Sequence, residues 1–259
     1  MPLLLLVPSV VVTLWLAGFI ATSDLAVPLG TVSRFRNVLA VFPHADDETV
    51  NCGGTLRRFS TAGAAVTLLL LTGGERGNPA GVPDAALKRM RSREAEGAVR
   101  RLGLSRLIQQ DFGDGQLADR REEIWSYLVE TIRELGPDLV VTYDRAGLDG
   151  HPDHVLCAEI LTELKTQHLT AATLWYVALP KRVVRLLQTA RQLPRQTIID
   201  ERRAIPTLRI FLGTAVIAKI RAWYGYRSQR GAIGKGLGRF VPIWFAISTL
   251  QFEYFTEVE

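Results

Sequence analysis

The sequence predicts an α/β fold in which a mostly parallel, Rossmann-like sheet is covered by helices on both faces. Four short runs rich in Val, Leu and aromatic residues have the composition of buried strands: NVLAVF (37–42), AVTLLLL (65–71), DLVVTY (138–143) and ATLWYVAL (172–179). Longer segments with helical periodicity separate these runs. Strands that alternate with helices form parallel sheets, and such sheets bind ligands beyond the carboxyl ends of their strands. Functional residues are therefore expected where these runs end.

Local signals place the remaining elements between these runs. A Gly- and Pro-rich loop precedes a long helical pattern that starts at Asp84, and a Gly-Pro pair ends the next helix after Leu135. Pro152 lies in the first turn of a further helix, where its missing N–H costs nothing. In chain order, the predicted elements are a helix at 50–63, a helix at 84–102, a short strand near 106–110, a helix at about 119–135 and a helix at 151–167.

The N-terminal segment is apolar. Residues 2–22 carry no charged side chain and, at ~1.5 Å per residue, are long enough to cross a ~30 Å hydrocarbon core. They predict a single-pass membrane anchor at residues 1–23; a cleaved signal peptide and a secreted product are the alternative, although no Lys or Arg precedes the run. Arg34 and Arg36 follow it, which places the remainder in the cytoplasm by the positive-inside tendency. A linker (24–36) and one globular domain (37–259) complete the predicted organisation.

The C-terminal third is basic. Residues 181–239 hold 14 Lys and Arg against only Asp200 and Glu201, whereas the rest of the chain has more acidic than basic residues. Beside an anchor, this charge predicts contact with an anionic membrane surface, and a solvated face without a partner is an equal alternative; no nucleic acid is expected. Within this region, residues 207–226 predict a core helix, with an interfacial amphipathic helix as the alternative.

Two stretches bring His and acidic side chains to the ends of predicted strands. FPHADDE (42–48) follows the first strand, and HPDH (151–154) follows the strand at 138–143. A divalent metal site with an open position for water typically uses about three His, Asp or Glu ligands and a nearby group that takes the water's proton. His44 and Asp47 are three residues apart on a turn into a helix, so they can face one point. This leaves Asp46 as a free carboxylate nearby.

The second stretch supplies the remaining ligand. His151 and His154 are also three residues apart at a helix start, so one can bind metal while the other lies over the open coordination position. Together the two stretches predict a set of two His and one carboxylate. Both Zn²⁺ and non-haem Fe²⁺ use such sets, so the ligands alone leave the choice of metal open.

PHADDE, followed about a hundred residues later by GHPDH, resembles the N-acetylglucosaminyl-phosphatidylinositol deacetylase family, also called PIG-L or LmbE-like. The resemblance spans about residues 37–180 and extends to YRSQ (226–229), which is similar to a late HRSQ element of the family. Two positions depart from the family pattern. Ala45 replaces the usual Pro, and Asp149 stands where some relatives have a Tyr that helps to hold the oxyanion.

The resemblance implies a role for each matching residue. Family members use a divalent metal, usually zinc, to remove acetyl from N-acetylglucosamine conjugates. By position, Asp46 matches the general base, and His151 matches a histidine that assists the tetrahedral intermediate or protonates the leaving amine. Arg91 and Asp114 match positions that bind the sugar or its anionic aglycone. The implied metal ligands are His44, Asp47 and His154.

The sequence thus predicts a membrane-anchored, zinc-dependent N-deacetylase that acts on a small N-acetylglucosamine conjugate or a glycolipid, with Fe²⁺ or another divalent metal as the alternative cofactor. The metal lowers the pKa of its water from ~15.7 towards ~7, and Asp46 takes the proton. Glu48 is predicted either to orient His44 or a nearby backbone group, or to be an ordinary acid at a helix N-terminus. Two rival functions are a membrane-anchored glycosyltransferase, which leaves the HPDH histidines unexplained, and a non-catalytic protein that binds a lipid surface on the same scaffold.

Overall fold

A mostly parallel sheet forms the centre of the protein, as predicted. The computed structural model describes residues 2–77, 81–167, 171–190, 192–229 and 241–258. Within them the strands, in chain order, are β1 (Asn37–Phe42), β2 (Ala65–Leu70), β3 (Arg106–Gln109), β4 (Leu139–Tyr143), β5 (Thr173–Ala178), β6 (Leu208–Phe211) and β7 (Phe252–Val258). They lie in the order β3-β2-β1-β4-β5-β7-β6. The strands β1 to β5 pair in parallel, whereas β7 is antiparallel to both β5 and β6.

The helices connect the strands much as the sequence predicts. The long helix begins at Asp84 and ends at Leu102, where Gly103 adopts the left-handed conformation that ends many helices. The described helices are α1 (Pro2–Thr22), α2 (Asp47–Thr61), α3 (Asp84–Leu102), α4 (Arg121–Leu135), α5 (Gly147–Gly150), α6 (Pro152–Gln167), α7 (Lys181–Thr189), α8 (Thr197–Arg202), α9 (Ala215–Trp223) and α10 (Ile243–Thr249). Short 3₁₀ turns lie at Leu117–Arg120 and Arg227–Gln229.

Both faces of the sheet are covered. Alternate side chains of β1 enter two different hydrophobic clusters: Val38 and Phe42 pack in one, and Leu39 and Val41 pack in the other. All four are at most 1% exposed. A strand that buries both of its faces is a central strand of a layered α/β fold. The predicted Rossmann-like architecture is therefore confirmed.

The segment after Pro206 differs from its prediction. It does not form one continuous helix: residues 208–211 form β6, and α9 follows after a turn at Gly213, which has φ 54°. The apolar letters LRIF suit an edge strand against β7 as well as a helix turn, so periodicity did not separate the two. The later half is a core helix, because α9 packs on α2 and α3. Residues 230–239 of the predicted basic region lie outside the described residues.

The N-terminal helix α1 packs against α10. Trp15 Nε1 donates to Ser248 Oγ at 3.1 Å, and Thr22 Oγ1 donates to the carbonyl oxygen of Thr249 at 3.3 Å. The helices approach closely at Gly18, where an added Cβ would lie 2.8 Å from Thr249 Cγ2. Among the helices in the described part of the chain, none is both long and apolar enough to cross a membrane, so the predicted membrane helix is not supported.

Candidate metal centre

The predicted metal ligands meet where two neighbouring strands end. β1 and β4 pair in parallel, and the segments that follow them, each a loop and the start of a helix, carry His44 and Asp47 on one side and His154 on the other. His44 Nδ1 lies 3.4 Å from Asp47 Oδ2 and 3.3 Å from His154 Nε2, and His154 Nε2 lies 3.6 Å from Asp47 Oδ2. Three atoms at these separations can each contact one cation at about 2.0–2.1 Å, the usual Zn–N distance. The donor set therefore fits a divalent metal.

Hydrogen bonds fix the orientation of the His44 ring. Its Nε2 lies 3.0 Å from Asp114 Oδ1 and 3.2 Å from Asp153 Oδ2, so in the neutral ring Nε2–H donates to these carboxylates and Nδ1 carries the lone pair. Burial disfavours the protonated ring, but the hydrogen bonds with Asp114, Asp153 and Asp47 outweigh it and raise the pKa of His44 well above its ordinary value. A carboxylate behind a ligating imidazole is the usual support of a metal-bound histidine.

His154 is supported from its opposite side. Its Nδ1 lies 3.1 Å from the carbonyl oxygen of Gly147 and 3.0 Å from Asp149 Oδ1, which leaves Nε2 as the acceptor that faces the other ligands. The ring of Tyr143 stacks on the imidazole with centroids 4.2 Å apart. Burial opposes protonation, but the charges of Asp47 and Asp149 raise the pKa of His154. Asp149 therefore orients a candidate ligand in this structure.

The third ligand is ionised. Burial alone would raise the pKa of Asp47, but the charges of His154 and His44 outweigh it and lower this pKa well below its ordinary value. Asp47 is also the first residue of α2, where the positive end of the helix dipole favours a carboxylate.

Asp46 occupies an unusual backbone conformation beside the ligands. It has φ 97° and ψ −28°, and Leu148 is the only other non-glycine residue with positive φ in the described part of the chain. The backbone N–H of Asp46 donates to Glu48 Oε2 at 3.2 Å, and Arg91 lies 3.4 Å from its Oδ1. Burial and the negative charge of Asp47 raise the pKa of Asp46 to about 8, although Arg91 acts in the opposite direction. A carboxyl group with such a pKa can take up and hold a proton near neutral pH.

His151 lies over the same centre. Its ring centroid is 5.1 Å from that of His44 and 4.7 Å from that of His154. Burial and the charges of His154 and His44 lower its pKa, so the ring is mostly neutral at neutral pH. Its Nδ1 accepts the N–H of Asp153 at 3.2 Å, so the neutral ring carries its proton on Nε2. His151 can therefore donate a hydrogen bond from Nε2.

The two predicted substrate-binding residues make contacts within the protein. Arg91 is 3% exposed, and its guanidinium donates to the carbonyl oxygens of Gly74 at 2.8 Å and Ala45 at 2.6 Å. Asp114 holds His44 with one oxygen and accepts the N–H of Arg76 with the other at 2.8 Å. Burial raises the pKa of Asp114, but the hydrogen bond with His44 outweighs it and brings this pKa to about 2. Their roles towards substrate stay predictions.

Sequence reasoning missed two supporting residues and left a third undecided. Asp153 and Tyr143 received no role, although one lies inside HPDH and the other ends the strand before it. Glu48 is fully buried, and its Oε1 accepts the hydroxyl of Tyr226 at 2.8 Å. Since its other oxygen accepts the N–H of Asp46, Glu48 orients a backbone group, as one of the two interpretations predicted.

Fold and site together define a Rossmann-like α/β protein with a candidate divalent-metal centre of two histidines and one carboxylate. The family model described as PIG-L: GlcNAc-PI de-N-acetylase matches residues 39–165. Residues 39–165 therefore match the PIG-L family, and the family predicted from PHADDE and GHPDH is confirmed over this stretch.

Two relatives with assigned activities match part of the chain. It is 35% identical over 145 residues to a 1D-myo-inositol 2-acetamido-2-deoxy-alpha-D-glucopyranoside deacetylase of Streptomyces griseus, covering 46% of this chain and 45% of that protein. The protein of the same description from Thermobispora bispora is 30% identical over 203 residues, covering 67% of this chain and 64% of its own length. The chain thus spans about half the length of the first relative and under two thirds of the second.

Solved structures share the fold. N,N'-diacetylchitobiose deacetylase from Pyrococcus horikoshii superposes with a TM-score of 0.63 at 20% identity, covering 92% of this chain and 88% of that one. The 4-carboxy-2-hydroxymuconate hydratase from Pseudomonas putida has a TM-score of 0.63 at 17% identity, covering 86% of this chain and 96% of its own. A deacetylase and a hydratase are equally similar in fold, so the fold alone does not select the reaction.

Proposed function

We propose that this protein is a metal-dependent amide hydrolase that removes the acetyl group from an N-acetylglucosamine conjugate. The observation that carries this proposal is the triangle of His44 Nδ1, Asp47 Oδ2 and His154 Nε2, whose sides are 3.3–3.6 Å, with the carboxyl group of Asp46 next to it in the chain. The relatives named above are deacetylases of an N-acetylglucosamine–inositol conjugate, which supports the substrate class.

The proposed cofactor is Zn²⁺, and Fe²⁺ is the alternative that the same ligands accept. A divalent metal held by these three side chains supplies Lewis acidity, which lowers the pKa of water and polarises a carbonyl oxygen. The chain's own residues prepare the ligands: Asp114 and Asp153 keep the proton of His44 on Nε2, and Asp149 keeps that of His154 on Nδ1. Once the second proton of each ring is displaced, each imidazole presents a lone pair to the metal.

Proton transfer is assigned to Asp46. Its carboxylate removes a proton from the attacking water, and its raised pKa of about 8 lets it hold that proton until the amine leaves. The guanidinium of Arg91, 3.4 Å from Asp46 Oδ1, keeps this carboxylate in position. In this scheme Asp46 acts first as a base and then as an acid.

The oxyanion is assigned to His151. When water adds to the acetamide carbonyl, negative charge develops on the carbonyl oxygen, and a hydrogen bond from His151 Nε2 stabilises it. Because the pKa of His151 is lowered, the ring acts as a neutral donor in the free protein. This assignment supplies the contact that a Tyr at position 149 makes in some relatives.

Acetate release tests the proposal directly. We expect metal-free protein to release acetate from N-acetylglucosamine conjugates only after Zn²⁺ or Fe²⁺ is restored, and His154→Ala to stay inactive under both conditions because it lacks a ligand. The measurement is acetate and free amine per mole of enzyme, with metal content measured on the same sample. Stoichiometric metal binding without acetate release from any conjugate of the panel would overturn the proposal.

A lipid-linked conjugate, an anionic membrane surface and a cytoplasmic location at a membrane stay predictions. Including an N-acetylglucosaminyl phospholipid in the substrate panel and measuring flotation with anionic vesicles would test the first two.

A further inference from the structure

A cavity opens beside the candidate metal centre. It has a volume of about 810 Å³, within the range of small-molecule sites. Two apolar residues, Leu193 and Pro194, and five polar residues line it. The polar residues are Asp149, Gln188, Thr189, Gln192 and Arg195. Four of these five lie beyond residue 165, outside the stretch that matches the family model. The family motifs therefore include none of these four lining residues.

One residue joins the cavity to the metal centre. Asp149 lines the cavity, and its Oδ1 lies 3.0 Å from His154 Nδ1 on the side of the ring opposite to the candidate metal. The cavity thus begins one imidazole ring away from the position where the amide is cleaved. In an N-acetylglucosamine conjugate the attached group is on the carbon next to the acetamido carbon, so it also lies close to the reacting amide.

The lining residues between Gln188 and Arg195 form the wall opposite Asp149, here called the far wall. A series of hydrogen bonds connects this far wall to the loop that contains Asp149. Gln188 Nε2 donates to the carbonyl oxygen of Pro194 at 3.2 Å and lies 3.1 Å from both carboxylate oxygens of Asp200. Asp200 accepts Arg203 Nε at 2.9 Å, and Arg203 donates in turn to the carbonyl oxygen of Leu148. The wall and the loop therefore form one connected structure.

The loop also contacts α8 through a glycine. Gly150 has φ 84°, and an added Cβ would lie 2.3 Å from Ile199 Cδ1, so only glycine fits here. In addition, Asp144 accepts the N–H of Ala204 at 3.0 Å. These contacts position the cavity relative to His154.

We propose that this cavity binds the group attached to N-acetylglucosamine, and that this group is an uncharged polyol such as a second sugar ring or a cyclitol. The proposal rests on the deacetylase function proposed above. Side-chain amides, a hydroxyl, a carboxylate and a guanidinium offer both donors and acceptors, which is what hydroxyl groups require.

Two other classes of attached group fit the cavity less well. An apolar chain would displace water from these polar side chains without replacing the hydrogen bonds that the water makes. Among the described residues that line the cavity, Arg195 is the single cation, and a phosphate would also face the carboxylate of Asp149. The balance of charge therefore favours an uncharged polyol.

Paired substrates separate this subsite from the reaction. The double variant Gln192→Ala/Arg195→Ala should lower kcat/KM about 10-fold or more for N-acetylglucosamine linked to inositol, because hydrogen bonds to the aglycone are lost. It should leave methyl N-acetylglucosaminide unchanged within about 2-fold, since a methyl group does not reach the cavity. Arg185→Ala removes a nearby exposed charge that does not line the cavity, and this control should leave both substrates unchanged. An equal loss on both substrates, or no loss on either, overturns the proposal.

Binding of the deacetylated product tests the subsite without turnover. In calorimetry, glucosaminyl-inositol should bind the double variant about 10-fold more weakly than the wild type, while glucosamine should bind both alike. If the wild type releases no acetate from either substrate, the deacetylase function fails, and this titration still decides whether the cavity binds the polyol. Tighter binding of a phosphorylated form of the same product would overturn the uncharged assignment.

Discussion

The loops after β1 and β4 each contain one non-glycine residue with positive φ, but they use it differently. In the first loop (43–46) that residue is Asp46, with φ 97°, and it is the proposed base itself. In the second loop (144–151) it is Leu148, with φ 63°, which carries no reactive group. Strain of this kind costs about 1–3 kcal/mol and persists only where surrounding contacts maintain it. The contacts that maintain the strain differ between the two loops.

The first loop is held by buried charged groups of the matched family region together with Tyr226. Glu48 accepts the N–H of Asp46, and Arg91 binds the loop carbonyl of Ala45. The second loop is held from outside that region, because Arg203 donates to the carbonyl oxygen of Leu148 and Asp144 accepts the N–H of Ala204. The proposed chemistry at Asp46 therefore depends mainly on residues of the matched family region. The shape of the second loop depends instead on the C-terminal segment of this chain.

The largest effect is expected in the first loop. Asp46→Asn should lower kcat by about 10²–10⁴-fold, the usual contribution of a general base, because the amide cannot take up a proton. Asn tolerates left-handed backbone conformations, so the loop and the bound metal should be retained. Steady-state kinetics with metal content measured on the same protein tests this expectation.

Asp46→Ala is the matched comparison. Ala should lose the same activity and about 1–2 kcal/mol more stability than Asn, since its Cβ is disfavoured at positive φ without a compensating polar side chain. Thermal unfolding of the two variants measures the difference. Activity of Asp46→Asn within about 10-fold of the wild type would contradict its role as the base.

A smaller effect involves both sides of the site, because the first loop supplies His44, α6 after the second loop supplies His154, and the pKa of each is raised. A metal binds the neutral imidazole, so it must displace protons from His44 and His154 below those raised pKa values. Metal affinity should therefore rise with pH, by at most about 100-fold per unit when two protons are released, and level off above both pKa values. Competition with a chelating dye between about pH 6 and 8 measures this slope.

Stability should follow the same sign. A histidine whose folded pKa is raised stabilises the metal-free protein below its unfolded pKa, and this contribution is lost as pH rises through the folded value. Asp46 acts in the same direction, because its folded pKa of about 8 penalises folding increasingly from its unfolded value of 3.8 upward. The difference in Tm with and without Zn²⁺ should therefore widen from about pH 6 to 8. A difference that stays constant would argue against His44 and His154 as ligands.

The sequence predicted the sheet and brought the candidate ligands to one edge of it, because both leave local signals. Buried parallel strands appear as continuous apolar runs, and His44 and His154 each belong to a short motif at the end of such a run. In contrast, the sequence predicts a helix where β6 lies, since four residues at a sheet edge show no periodicity of their own.

Residues that act through distant contacts could not be predicted in the same way. The contact of Glu48 with Tyr226 joins positions 178 residues apart, and Arg203 reaches Leu148 across 55 residues. Their partners are set by how helices pack on the sheet, which a single sequence does not show. Arg91 is similar: its position in a long helix was predicted, but its burial beneath Asp46 was not.

The smallest effect compares the carboxylates behind the two histidines. Asp153 holds His44 Nε2 at 3.2 Å and its side chain is 3% exposed, whereas Asp149 holds His154 Nδ1 at 3.0 Å and its side chain is 44% exposed. Loss of a carboxylate behind a metal-bound histidine typically lowers metal affinity about 10–100-fold. Asp153→Asn should lower the affinity about 10-fold, the lower end of this range, because the buried site excludes water but Asp114 Oδ1, 3.0 Å from the same nitrogen, keeps one carboxylate there.

Asp149→Asn should cost less than about 10-fold, because the carbonyl oxygen of Gly147, 3.1 Å from His154 Nδ1, keeps the proton on that nitrogen and water reaches the exposed side chain. Zn²⁺ titrations of both variants at one pH measure the ratio. Equal losses would show that the two loops support their ligands in the same way, and a larger loss for Asp149→Asn would show that the second loop depends on this carboxylate more than on its backbone. Either result would contradict the proposal that buried charged groups support His44 whereas a backbone carbonyl supports His154.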